Sequence, residues 1–459
     1  MWKKLLITGC VTFSLLSGGT LSAQPSCEIK EEVTSEQLDR TQKELVAMMK
    51  ELKNDSYFQT ELDKAAVQSS PSKRMAAYKD LAVRLLSVLE IQAELEWMKP
   101  EAIQEALGIM KKSSGFDTAL ADKRFGELKS LLAGGFDGIY TGDAQAINKA
   151  NKTLTLKRKL MLMSPDVNVD KMLTVKFDLG ERANFVGAGS LGIQPNNWSN
   201  LSSASRKNFK AQLVELSGLQ SGELSEKVLY KPAVDGSSVT DLVLNWDGKR
   251  LMFTALDTTR RWQVHELDIN NGEAKQVTNI PEPDLEFFDG TYLPDGRMLA
   301  ISNIGYQGVP CVNGSDAVGN MVLYDPSNGY LRRLTFDQDA NWHPVVMANG
   351  KVMYVRWEYT DLTHYFSRIV MHMNPDGTEQ KSLYGSGSMF PNSIFDVQPL
   401  PKHTNRFVGV ISGHHGVARS GRLMIFDPAK SRKEEKGMIQ ELPFRGRPII
   451  PEVKDELVN

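Results

Sequence analysis

Two periods of hydrophobic and polar positions divide the chain. From about Ser35 to Met163 apolar residues recur at helical spacing. Thr34-Ser35-Glu36-Gln37 has the form of a helix start, and Leu38, Leu45, Met48, Met49 and Leu52 then fall on one face. A second long helix is predicted after Pro71, with Leu81, Leu85, Val88, Leu89, Gln92 and Leu95 in its stripe. Pro100 marks the next start, and further helices are predicted near 118–132 and 144–162. These stripes read as core between antiparallel helices, and the basic run from Lys152 to Lys159 as a solvated helix face. Near Lys171 the period changes to that of β-strands, beginning with Met172-Leu-Thr-Val-Lys-Phe.

The β region repeats. A strand followed by a tight polar turn recurs around Ser217, Asp268, Asp325, Asn374 and Asp427, at intervals of 51, 57, 49 and 53 residues. Between these lie turns that feed hydrophobic strands: Trp246-Asp-Gly-Lys-Arg-Leu, Pro294-Asp-Gly-Arg-Met-Leu and Ala348-Asn-Gly-Lys-Val-Met. Asp-Gly and Asn-Gly reach the positive φ of two-residue hairpin turns. Two hairpins per repeat of roughly 50 residues give four strands per repeat, which is a propeller blade. The predicted fold is therefore mainly β, a β-propeller of four-stranded blades preceded by an α-helical region. Five blades are predicted, at 172–230, 241–280, 289–337, 345–385 and 395–444. Either five close a ring, or the chain stops short of a sixth or seventh.

The N-terminus changes the compartment. Lys3 and Lys4 precede an apolar stretch from Leu5 to Leu16, and Leu21-Ser22-Ala23 offers a small-residue cleavage site before Gln24. This predicts a signal peptide over 1–23 and a periplasmic or secreted product; a lipoprotein reading at Ile7-Thr8-Gly9-Cys10 would leave almost no apolar core ahead of the cysteine. The resulting domains are the signal at 1–23, helices over 30–165 and the propeller over 170–459. No later run approaches the roughly 18–20 apolar residues of a membrane helix, so no membrane span is expected. Basic and acidic residues nearly balance, 54 against 56, which removes the global field that nucleic acid would call for. Cys27 and Cys311 remain after cleavage, and whether they pair is open.

The Pro-Asp-Gly hairpins and the Asp339-x-x-Trp342-x-Pro344 spacing resemble the WD40-like repeats of periplasmic Tol-type (TolB-like) propellers. A more specific resemblance covers about 155–459. It rests on Gln307-Gly-Val-Pro-Cys-Val, Arg333-Leu-Thr-Phe-Asp-Gln-Asp, Val355-Arg-Trp-Glu-Tyr-Thr-Asp, Met373-Asn-Pro-Asp-Gly-Thr and Gly413-His-His-Gly. These strings are similar to the middle propeller domain of the hydrazine synthase alpha-subunit family, whose enzyme works at c-type haems. This chain has no Cys-x-x-Cys-His, so no covalent haem is expected on it. Members of that family also run beyond the position matching Asn459, which implies a fragment or a truncated gene.

All seven histidines fall in the β region. A divalent metal would need three or four converging ligands. The candidate set is His343, His364, His414, His415 and Cys311, at strand ends where propellers line their axial mouth. The cheaper reading is that these side chains satisfy loop backbone. Arg356 and Glu358 stand two apart on one predicted strand, so they share a face, as a buried ion pair or as a polar lining for a ligand. Trp342 could stack on a ligand ring, although packing between blades is the commoner fate of such aromatics. No phosphate-binding glycine loop, Gly-x-Ser-x-Gly elbow or His-Glu-x-x-His occurs. The reading is thus an exported binding or scaffolding propeller for a protein or small molecule, with no cofactor expected. The alternatives are a metal-dependent lyase or hydrolase with a His-lined site, or a fragment of a larger haem-containing redox subunit.

Overall fold

The hydrophobic runs that follow the Asp-Gly and Asn-Gly turns, 251–256, 298–302 and 352–357, are buried on both of their faces, and this dictates how the β region is built. A computed structural model describes residues 33–167, 169–178, 200–204, 206–207, 209–221, 223–309, 314–358, 367–388, 390–391, 393–412 and 421–442. The chain divides into two units. One comprises the helices through Leu173 together with Glu215–Lys227; the other comprises the remaining β region.

Six helices form the first unit: α1 (Ser35–Met49), α2 (Ser56–Ala66), α3 (Pro71–Glu96), α4 (Pro100–Met110), α5 (Thr118–Ala133) and α6 (Ala144–Met161). Thr34 closes a reciprocal capping box with Gln37 at the start of α1, satisfying two orphan N–H groups. The apolar stripe of α1 packs with α2 and α3 around Phe58, Leu62, Tyr78 and Leu85. A second core joins α4, α5 and α6 around Leu107, Phe125, Leu128 and Leu160. Helix α2 was not anticipated, because its eleven residues place only Phe58, Leu62 and Ala65 inward.

The sheets begin with β1 (Lys171–Asp178), β2 (Lys210–Ser217) and β3 (Ser225–Tyr230), which pair in that order. Four four-stranded antiparallel sheets follow. The first is β4 (Val239–Leu244), β5 (Arg250–Leu256), β6 (Trp262–Asp268) and β7 (Ala274–Gln276). The second is β8 (Phe287–Tyr292), β9 (Met298–Ser302), β10 (Asn320–Asp325) and β11 (Tyr330–Arg333). The third is β12 (Asn341–Val346), β13 (Val352–Glu358), β14 (Ser367–Met373) and β15 (Lys381–Tyr384). The fourth is β16 (Ser393–Pro399), β17 (Phe407–Ser412), β18 (Arg422–Phe426) and β19 (Met438–Leu442). One parallel bridge, Arg368 to Ser393, links the third and fourth.

Successive sheets pack face to face. Strand β8 lies against β4, β5 and β6, β12 against β8, β9 and β10, and β16 against β12, β13 and β14. Strand alternation explains how one sheet serves two interfaces. Met298, Ala300, Val322 and Tyr324 share a core with Met252 and Val264 of the preceding sheet. Their neighbours Leu299, Ile301, Met321 and Leu323 share another with Val352, Tyr354 and Ile369 of the next. The third sheet repeats the device, sending Met353, Val355 and Trp357 into a core with Ile394, Phe395 and Phe407. Helix-covered or solvent-facing sheets would not produce this pattern. The architecture is mainly β, with several four-stranded antiparallel sheets beside the six helices.

Candidate functional site

The first strand of every four-stranded sheet carries the same irregularity. Pairing slips between Thr240 and Val243, between Phe288 and Thr291, between Trp342 and Val345, and between Phe395 and Gln398. The residue that opens each bulge is left-handed: Asp241 at φ 56°, Asp289 at 52°, His343 at 55° and Asp396 at 50°. Asp, Asn and His are the non-glycine types that tolerate this region best. The local backbone therefore selects these residue types, and at the same time turns their side chains away from the sheet faces.

Those four side chains meet. Together with Asn200, Thr240 and Gln398 they line a cavity of about 250 Å³, bordered by Phe288, Trp342 and Pro344. No lysine or arginine lines it. Carboxylates of the first and second sheets also reach the backbone of the sheet that follows. Asp289 N–H donates to Asp241 Oδ2 at 3.0 Å and to Thr254 Oγ1 at 3.2 Å, and His343 N–H donates to Asp289 Oδ2 at 2.5 Å. The imidazole of His343 sits between two carboxylates, with Nδ1 3.5 Å from Asp289 and Nε2 3.4 Å from Asp396. Only a protonated ring has an N–H for each of them.

Charge is costly here. Burial, followed by the neighbouring Asp289 carboxylate, raises the Asp241 carboxyl to about 6, against opposing help from Thr254, the Asp289 amide and His343. Asp241 therefore exchanges its proton within the physiological range, whereas ordinary aspartates do so near 3.9.

Of the other predicted site residues, Trp342 borders this cavity, and the remaining described ones lie away from it. Trp342 is 1 % exposed; its ring stacks on Trp357 at 6.2 Å between centroids and meets Phe395 edge-on at 5.7 Å, so core packing takes it. Arg356 does pair with Glu358, Nε to Oε1 at 2.7 Å, and also with Asp337 at 3.0 Å, while Asn341 holds the second Asp337 oxygen at 3.1 Å. Burial raises the Glu358 carboxyl, and the Arg356 charge opposes this. This network lies off the cavity lining. Cys311, His364, His414, His415 and Cys27 fall outside the described residues, as does the predicted signal peptide. Among the described residues no three His, Cys, Asp or Glu side chains are grouped to hold a metal ion. No helix among them is long and apolar enough to cross a membrane.

Asp241, Asp289 and Asp396 were not anticipated. A signal exists for two of them: Asp241 and Asp289, like His343, each stand six residues ahead of the Asp or Asn of the Asp-Gly or Asn-Gly turn in their own hairpin.

No protein-family model matches the chain, and no curated protein matches it. Among solved structures, the chain is similar to hydrazine synthase from Kuenenia stuttgartiensis, at 14 % identity and a TM-score of 0.42 over 56 % of this chain and 37 % of that one. It is similar also to TolB from Acinetobacter baumannii, at 18 % identity and 0.34 over 47 % and 46 %. A third likeness is to an oligogalacturonate lyase in complex with manganese, at 13 % identity and 0.32 over 48 % and 57 %. The chain thus spans less than two thirds of the length of each of these structures.

Proposed function

We propose that this protein is an exported β-propeller binding module whose axial cavity takes a compact cationic group, such as an ammonium or guanidinium. The reading rests on one observation: equivalent positions of four successive sheets deliver three carboxylates and one imidazole to a cavity whose lining holds no lysine or arginine. Three carboxylates against a single imidazole leave an excess of negative charge, and a low-dielectric recess with such an excess concentrates the opposite sign. The volume of about 250 Å³ limits the guest to a small molecule or the tip of a larger one. Thr240, Asn200 and Gln398 supply the neutral hydrogen-bonding groups that would fix its orientation.

The kinship with hydrazine synthase alpha-subunit propellers belongs to the same proposal. It supports the architecture and the compartment, while the haem chemistry of that family has no attachment site in this sequence. For the metal-dependent alternative, one of its five ligands, His343, is placed, and both of its ring nitrogens face carboxylates.

Titration calorimetry at pH 7.5 with agmatine and ethanolamine, against glycerol and acetate, tests the reading. Binding of at least one of the amines at millimolar affinity or better is expected, with no heat from glycerol or acetate. Absence of binding by both amines, or equal binding of acetate, would remove the proposal.

A further inference from the structure

The β unit holds a second concavity that the axial site does not use. It has a volume of about 480 Å³, within the range of small-ligand sites, and is lined by Ser202, Arg206, Arg261, Asp284, Glu286, Asn303, Tyr306 and Gln307 among others. Its floor is fully committed. Arg206 pairs with Glu286 at 2.7 Å and also donates to the carbonyls of Ser202 and Arg260; Arg261 pairs with Asp257 at 2.9 Å and donates to the carbonyl of Glu282. Both guanidinium charges are thereby neutralised, so the groove has no surplus positive charge for a phosphate backbone.

Above this floor three side chains have no hydrogen bond or ion pair among the described residues: the Tyr306 ring, the Gln307 amide and the Asp284 carboxylate. Tyr306 is 59 % exposed, and its backbone is held left-handed at φ 49°. That conformation is unfavourable for a bulky residue and common where function demands it. Described residues on either side of the groove wall are anchored. Asp316, 3 % exposed, receives the backbone N–H of Asn200 and the hydroxyl of Ser202, and Gly308 pairs with Ala317. An aromatic face, an amide that both donates and accepts, and a carboxylate acceptor match a ligand with one C–H-rich face and a rim of hydroxyls.

We propose that this groove is a carbohydrate site, taking a neutral oligosaccharide that stacks one sugar ring on Tyr306 and hydrogen-bonds to Gln307 and Asp284. It is independent of the axial cavity, and the test keeps the two apart. The full chain would be titrated by calorimetry with cellohexaose, xylohexaose, maltohexaose and chitohexaose, and with a ten-residue oligothymidylate. At least one oligosaccharide is expected to bind, with no binding of the oligonucleotide. Tyr306→Gly removes the ring while relieving the left-handed backbone, so affinity is expected to fall at least tenfold with the melting temperature unchanged or higher. Tyr306→Phe should stay within threefold of the parent, and Asp241→Asn should leave sugar binding unaltered. Failure of all four sugars to bind, undiminished binding by Tyr306→Gly, or preferential binding of the oligonucleotide overturns the proposal.

Discussion

Replacing Asp289 by alanine is expected to cost about 3 kcal/mol of stability at pH 7.5, measured by urea unfolding. The carboxylate is only 16 % exposed, and it receives the His343 N–H at 2.5 Å while facing the imidazole at 3.5 Å. Truncation leaves that buried N–H without its partner, at about 1–3 kcal/mol. Alanine at φ 52° adds roughly 1 kcal/mol that aspartate largely escapes. Asp289→Asn retains both the acceptor and the tolerance of the left-handed region, so its cost should stay within about 1 kcal/mol. A loss below about 1 kcal/mol for the alanine variant would mean that the seam between the second and third sheets does not depend on this bond.

Asp241→Asn is expected to act in opposite directions on stability and on binding. The folded chain keeps the Asp241 proton up to about 6, whereas the unfolded chain releases it near 3.8. Between those values the native state binds the extra proton, so this group's contribution to stability is fullest below about 3.8 and is lost as pH rises through about 6. Asparagine carries no charge to bury. The variant should therefore be more stable than the parent at pH 8 by about 2 kcal/mol, and should lose this part of the pH dependence between pH 4 and 7. It can still accept the Asp289 N–H. Cation binding should nevertheless weaken at least tenfold, because the recess loses one of its three negative charges. Thermal melts across pH 4–8, paired with agmatine titrations, read both effects. Unchanged stability at pH 8 together with unchanged binding would show Asp241 to be an ordinary solvated carboxylate.

The turns of this fold are written in the sequence, and the cavity where the four sheets meet is not. Asp-Gly and Asn-Gly at 247–248, 295–296 and 349–350 signal hairpins because those types reach positive φ, and each glycine does so here. The repeat turns at Asp268, Asp325, Asn374 and Asp427 are equally legible, since short polar side chains close them. The four-stranded grouping follows from their spacing. The bulge residues carry no turn chemistry of their own, only a spacing of six residues ahead of the turn Asp or Asn at Asp241, Asp289 and His343. An aspartate within an apolar run reads as a solvent-facing strand position, and only the register slip reveals that it lines the cavity. His343 meets aspartates from the sheets on either side, and no spacing between histidines or cysteines points to such partners. Trp342 and His343 illustrate the point: adjacent in sequence, one enters the core against Trp357 and the other enters the cavity. For Arg356 and Glu358 the period of two suffices to predict a pair, but Asp337, which completes the network, lies too far away in sequence to be inferred.

Proton release on binding goes most directly to the claim that Asp241 forms part of a cation site. Agmatine titrations at pH 6 in two buffers of different ionisation enthalpy count the protons expelled when the ligand enters. With the Asp241 carboxyl at about 6, roughly half a proton should leave Asp241 per ligand at pH 6 and almost none at pH 8, and Asp241→Asn should remove that component. Binding without proton release at pH 6, or with a release that the Asp241→Asn variant preserves in full, would contradict the account.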